Sequence, residues 1–160
     1  MTTRPLSLLL VLLVCGATSA SAQTDTQDVT VVVQEVNEIV VSGNVSITLN
    51  SLDGGGDYND VTDASTTYDL TTNGTNKKIT AVLGAEYATG ISLAVLLGAP
   101  TGATAAGSAQ TLNASTATDL VTGISNSGSG LSISYTASAT SAAATNGAGE
   151  TQTVTFTVTD

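Results

Sequence analysis

Polar and apolar residues alternate along much of this chain, a pattern typical of strands with one buried face. Four runs alternate in this way: residues 45–49, 91–97, 131–135 and 150–160. In the last run, Val154, Phe156 and Val158 are expected to face a core, and the threonines between them to face outward. Clusters of Gly, Asn and Asp separate the runs, and no helical stripe of useful length occurs. The pattern predicts an all-β fold, an antiparallel β-sandwich of about seven to nine short strands.

One hairpin can be predicted in register, because Asn73-Gly74 is a strong signal for a two-residue turn. Such a turn pairs residues 66–72 with residues 75–83. The side chains expected to face the core are Tyr68, Leu70, Ile79 and Ala81. Those expected to face outward are Thr67, Asp69, Lys78 and Thr80. The same register turns Lys77 to the inner face near the tip, where its long stem can carry the ammonium to water.

The first alternating stretch, residues 28–42, is long for one strand. Val29, Val31 and Val33 alternate with other residues ahead of the apolar cluster 39–41, and we expect a bend or break near Asn37. Two interpretations stay open for residues 24–36. They form the first strand of the chain's own sheet, or they are given as a strand to a neighbouring molecule.

The N-terminus is typical of a cleaved signal peptide. Arg4 supplies a positive charge, residues 8–14 are apolar, and Ala20 and Ala22 form a small-residue cleavage pattern. The apolar run is too short to cross a bilayer core of roughly 30 Å, so no membrane span is expected. We predict a signal peptide at residues 1–22 and a single β-sandwich domain at residues 23–160. The protein is then secreted, and located outside the cell, at the cell surface or in the periplasm.

Composition argues against catalysis. Beyond the leader the chain has no His, Cys or Trp, and Lys77 and Lys78 are its only cationic side chains; Cys15 lies in the leader. Imidazole, thiolate and guanidinium groups carry most catalytic chemistry, so we predict that the protein is not an enzyme. Its formal net charge of −10 repels phosphate backbones, so nucleic acid is not an expected partner.

An acidic, glycine-rich stretch at residues 53–63 is the candidate metal site. Asp53, Asp57, Asp60 and Asp63 could supply carboxylate oxygens to calcium, which takes six to eight oxygen ligands. The spacing is not that of an EF-hand, because the twelfth position counted from Asp57 is Tyr68. The alternative is a solvated acidic loop without a cofactor.

A leader, an alternating N-terminal extension and a Thr- and Gly-rich sandwich together resemble small secreted bacterial surface proteins of the pilin or fimbrial-subunit type. The resemblance lies in layout and composition, and the disulfide usual in fimbrial subunits is missing. It implies a structural subunit that associates with copies of itself through its N-terminal strand. We therefore predict a non-enzymatic cell-surface or extracellular structural protein, a filament subunit. The alternative is a soluble extracellular binding module that depends on calcium.

Overall fold

Nine strands form the fold in a computed structural model that describes residues 21–160. Their bounds are β1 Asn37–Val41, β2 Val61–Thr72, β3 Lys77–Leu83, β4 Ile91–Leu97, β5 Thr104–Ala105, β6 Gln110–Thr111, β7 Thr118–Ile124, β8 Gly128–Ala139 and β9 Val154–Thr159. The predicted signal peptide lies, up to residue 20, outside the described residues. The chain divides into two units, one ending at Val32 and the other comprising Val33–Asp160. All nine strands belong to the second unit.

The strands form two sheets in which every pairing is antiparallel. The five-stranded sheet has the order β1-β2-β8-β4-β6, and the four-stranded sheet has the order β5-β7-β3-β9. The predicted all-β antiparallel sandwich is therefore confirmed. The described residues contain no helix that is long and apolar enough to cross a membrane.

The core is built almost entirely from aliphatic side chains of both sheets. Those that are fully buried are Leu70, Ile79, Val95, Leu97, Leu120, Val121, Ile124 and Ile133, together with Tyr68. Burying one such side chain contributes about 1.5–3 kcal/mol. Because no disulfide is available to the sheets, this packing has to hold them together.

Tyr68 is the one fully buried aromatic side chain among these residues. Its hydroxyl donates a hydrogen bond of 2.6 Å to the carbonyl oxygen of Gly98, the residue that follows β4. Burial raises the pKa of Tyr68 to about 12, because the phenolate would have little contact with water. The ring therefore fills the core while its polar tip is satisfied.

The predicted hairpin at Asn73-Gly74 is wrong, because β2 and β3 belong to different sheets. β1 and β8 occupy the two edges of β2, so β3 cannot pair with it. A two-residue turn of this type needs positive φ at both central residues. Of the four connecting residues, only Asn76 has a positive φ, of 55°. The connection carries the chain from one sheet to the other.

The predicted side-chain faces are mostly right although the pairing is wrong, because the face of a residue depends only on its parity along the strand. The four residues expected in the core are buried there, and Asp69 is exposed. Thr80 was expected to face water but is 8% exposed. It lies on an interior strand, where β7 and β9 on either side shield a small side chain.

Residues 45–49 show the predicted alternation of burial but form no strand. Val45, Ile47 and Leu49 are half-buried, whereas the residues between them are exposed. Ile47 packs against the core cluster, yet residues 44–50 join no backbone ladder. Here the alternation predicted side-chain burial but not a strand, because backbone pairing also requires a neighbouring strand.

Candidate functional site

The N-terminal segment exposes a run of apolar side chains. Val29, Val31, Val32 and Val33 retain between 75% and 83% of their accessible surface. Residues 21–36 belong to no strand, so the first strand of the sheet begins only at Asn37, where a break was predicted. Contiguous exposed apolar surface is typical of interaction sites in soluble proteins. We refer to residues 23–33 as the N-terminal arm.

Asn73 holds the backbone just after the arm. Its side-chain oxygen accepts a hydrogen bond of 2.8 Å from the Val36 amide, and its side-chain nitrogen donates one of 3.0 Å to the Gln34 carbonyl. Its own amide donates to the Val36 carbonyl at 3.3 Å. The side chain thus takes the place of a strand backbone and extends the pairing of β1 and β2 by one step. This fixes the end of the arm that joins the sheet.

Lys77 forms a second attachment at the same point. Its side chain is only 8% exposed, and its ammonium lies 2.7 Å from Glu35 Oε1 and also contacts Asp160 Oδ1. Glu35 Oε1 accepts a further hydrogen bond of 2.6 Å from the Asn37 side chain. The cluster joins the residues next to the arm, the first residue of β3 and the residue after β9.

Electrostatics keep this cluster ionised. Hydrogen bonds from the ammonium to Asp160, and secondarily to Glu35, raise the pKa of Lys77 above its ordinary value. The same ammonium lowers the pKa of Glu35 and of Asp160. A catalytic amine has to lose its proton to become nucleophilic, and these carboxylates oppose that loss. The arrangement is suited to holding chain segments together.

Asp53 and Asp57 use their carboxylates to shape the loop that contains them. Asp53 Oδ1 accepts hydrogen bonds from the amides of Gly55, at 2.7 Å, and of Asp57, at 3.0 Å. Asp57 Oδ1 accepts one of 2.7 Å from the Ser141 amide. These bonds close the glycine-rich turn and join it to the loop that follows β8.

Asp60 and Asp63 lie away from that turn in the chain, at the end of the loop and in β2 respectively. Asp63 Oδ1 accepts hydrogen bonds from the Ser65 amide and hydroxyl at 2.9 and 2.6 Å, which lower the pKa of Asp63. Within residues 21–160, no three acidic side chains come close enough to hold one metal ion. The structure therefore does not bring the four predicted ligands together.

A shallow depression of about 420 Å³ lies beside the end of β2 and the start of β8. Asp69 is the one carboxylate that lines it, and its Oδ1 accepts a hydrogen bond of 2.7 Å from the Gly130 amide. The other lining residues are Leu70, Thr71, Ser127, Gly128 and Ser129. This surface offers small hydroxyl and backbone groups and an already engaged carboxylate.

The chain matches no protein-family model, and no curated protein or solved structure is significantly similar to it. Its function has to be inferred from the arm and its two attachments. Sequence reasoning found the alternating valines but missed the roles of Asn73 and Lys77. The role of Lys77 could have been predicted, because alternation along the strand already placed its side chain on the inner face, where a buried charge needs partners of opposite charge.

Proposed function

We propose that this protein is a non-enzymatic extracellular structural protein whose copies assemble into filaments through the N-terminal arm. The observation that carries the proposal is the exposure of Val29, Val31 and Val33, which alternate as a strand does but join no sheet of their own chain. A strand with one apolar face becomes stable when it adds to the edge of a sheet. The signal-peptide pattern supports an extracellular location.

Burial of the valine face supplies the driving force for association. Burying three valine side chains contributes about 1.5–3 kcal/mol each, and added backbone hydrogen bonds contribute further. Ordering a free segment opposes this gain by about 1–2 kcal/mol per residue. The bonds to Asn73 and the Lys77 ion pairs already fix the residues that follow the arm. Such preorganisation lowers the cost of ordering and so strengthens binding.

Two matched variants of the full chain test the proposal. Val31→Asp places a charge on the face shared with Val29 and Val33, whereas Val32→Asp places the same charge on the opposite face. Light scattering coupled to size exclusion, with electron microscopy of the same fractions, should show high-mass linear assemblies of the wild type that survive dilution. We expect Val31→Asp to reduce the assembled fraction at least tenfold and Val32→Asp to reduce it much less.

A wild-type protein that stays monomeric at every concentration would contradict the proposal and favour the soluble binding module. Equal losses in the two variants would show that the valine face does not direct assembly. Because both substitutions lie in residues outside the sheets, circular dichroism should show the same β content in all three proteins.

A further inference from the structure

Strand β9 is an edge strand whose apolar side chains are incompletely covered. Val154, Phe156 and Val158 lie opposite Leu83, Ala81 and Ile79 of β3, which are buried, so they face the same core. All three nevertheless stay half-exposed. β9 is the last strand of its sheet, so no strand of the described residues pairs with its free edge.

The backbone of β9 is also open on that side. The Thr153 carbonyl accepts a hydrogen bond from the Gly84 amide, so Thr153 and every second residue after it point their backbone groups toward β3. In an antiparallel ladder the intervening residues point the other way. Val154, Phe156 and Val158 therefore direct their backbone amide and carbonyl groups to the open edge. These are the same residues whose side chains are half-exposed.

The four sheet edges are not protected equally. β5 and β6, at one side of the fold, are only two residues long, and short edge strands resist pairing with other chains. β1 and β9, which contact each other at the other side, have five and six residues. β9 has the sequence VTFTVT and contains no Lys, Pro or other residue that blocks an edge.

We infer that β9 receives the N-terminal arm of a second copy of this chain as an added antiparallel strand. The inference rests on the proposed function and names the surface that the arm binds. In the register that aligns the apolar faces, Val33, Val31 and Val29 of one copy lie opposite Val154, Phe156 and Val158 of the next. The three valines then extend the core, and Thr30 lies opposite Thr157 on the outer face.

β1 is the other long edge, and it fits the arm less well. Its core-facing positions are Asn37, Ile39 and Val41, which lie opposite the buried Thr72, Leu70 and Tyr68. The polar side chain of Asn37 interrupts the apolar face and already donates a hydrogen bond to Glu35. Three valines at alternate positions match the three apolar residues of β9 without a polar interruption.

Cysteine cross-linking tests this register. Thr30 and Thr157 would form a pair without backbone hydrogen bonds between them, and such pairs have Cα atoms about 4.5 Å apart, within disulfide range. A Thr30→Cys/Thr157→Cys variant in a Cys15→Ser background contains no other cysteine. We expect oxidation of the assembled variant to give a ladder of disulfide-linked multimers, which disappears on reduction.

The matched control is Thr30→Cys/Val40→Cys. Val40 holds the same position in β1 that Thr157 holds in β9, outward-facing and with its backbone directed to the inner strand. This pair should give less than a tenth of the cross-linked product. If it gives the ladder instead, β1 is the acceptor and the inference is wrong.

The other outcomes are also decisive. Normal assembly without the Thr30–Thr157 cross-link overturns the assignment to β9 but leaves the proposed function intact, whereas a wild type that does not assemble overturns both. A disulfide within one chain shows that the arm pairs with its own β9, which also overturns the inference.

A second variant keeps the inference testable if the cysteine pair does not fold. Val154→Pro removes one outward amide and leaves the bonds to β3 in place, which edge strands tolerate. We expect it to fold and to assemble at least tenfold less. Unchanged assembly of this variant would contradict an acceptor role for β9.

Discussion

At the scale of single residues, two threonines of β2 show how the same side chain can weaken or strengthen a sheet. Thr66 and Thr72 are both buried and both point inward. The Thr72 hydroxyl donates to Asn37 Oδ1 at 2.6 Å and accepts from the Gly74 amide at 3.0 Å. The Thr66 hydroxyl is fully buried and has no hydrogen-bond partner among residues 21–160. Leaving such a group without a hydrogen bond costs about 1–3 kcal/mol.

Valine substitutions at these two positions are expected to act in opposite directions. Thr66→Val should raise the free energy of unfolding by about 1 kcal/mol, because it removes an unsatisfied hydroxyl and keeps the shape of the side chain. Thr72→Val should lower it by about 1–3 kcal/mol, because two partners lose their bonds. Urea unfolding of both variants beside the wild type measures the difference. A loss of stability in Thr66→Val would mean that its hydroxyl has a partner in solution.

The Lys77 cluster predicts a dependence on pH. Glu35 and Asp160 have folded pKa values below their ordinary 4.5 and 3.8, so their stabilising effect is complete above pH 4.5 and disappears as the pH falls through the folded values. The pKa of Lys77 is raised above 10.5, so its effect is complete below that pH and disappears as the pH rises through the folded value.

Comparison with Lys77→Met isolates this contribution, because other titrating groups are common to both proteins. The stability of the wild type relative to the variant should be constant between about pH 6 and pH 9. It should decrease below and above that range. Urea midpoints across the pH range give the difference. A difference that does not change below pH 4.5 would show that the ion pairs do not contribute in solution.

At the scale of elements, alternation predicted the inward and outward faces of most strands, but it also predicted a strand at residues 45–49, where none forms. The runs at residues 91–97, 131–135 and 150–160 correspond to β4, β8 and β9, with the predicted residues inward. Alternation did not predict which strand lies beside which. The Asn73-Gly74 turn signal failed because Asn73 binds Gln34 and Val36, and such long-range partners leave no trace in the local pattern.

The acidic loop shows the same limit for the candidate metal site. Sequence spacing places four aspartates within eleven residues, but only the fold decides what each carboxylate contacts. Asp53, Asp57 and Asp63 accept hydrogen bonds from amides or a hydroxyl of the chain itself, at separate places. Closeness in sequence was therefore not sufficient to predict a shared ligand set.

Calcium is accordingly expected to leave the melting temperature unchanged. A real site occupied at a hundredfold excess over its dissociation constant would stabilise the fold by about 2.7 kcal/mol, which is easily measured. Melting in calcium and in chelator should agree within about 1 °C, given the shift of several degrees that this energy produces. A clear increase with calcium that is absent from Asp57→Asn/Asp60→Asn would instead establish the site and contradict this expectation.

At the scale of the whole molecule, charge opposes the association of copies. The chain carries a formal net charge of −10 with only three cationic side chains, and the arm contains Asp25 and Asp28. Like charges on approaching molecules repel over a distance of about 10 Å in 0.1 M salt and about 30 Å in 0.01 M salt. Salt should therefore assist assembly through the arm.

We expect assembly to be at least several-fold faster in about 0.15 M sodium chloride than in about 0.01 M, because screening shortens the range of the repulsion. The time course of light scattering measures the rate. Asp25→Asn/Asp28→Asn should assemble faster at low salt and respond less to added salt. A rate that falls with salt would indicate that attraction between opposite charges, and not burial of the valines, directs association.

The difference between the two-residue strands β5 and β6 and the open strand β9 has a consequence for symmetry. A copy that offers one arm and one receptive edge can associate in two ways: two copies exchange arms reciprocally in a closed two-fold dimer, or each copy passes its arm on to the next. In the proposed filament the second arrangement holds, so the contacts are heterologous, repeat from copy to copy and close only if the rotation between copies forms a ring. The resulting polymer is polar: one terminus presents an unused arm and the other an unused β9. A synthetic peptide of residues 23–36, added at less than one per copy, would therefore cap the terminus with the unused β9, and growth would continue at the other terminus from copies whose own β9 is free.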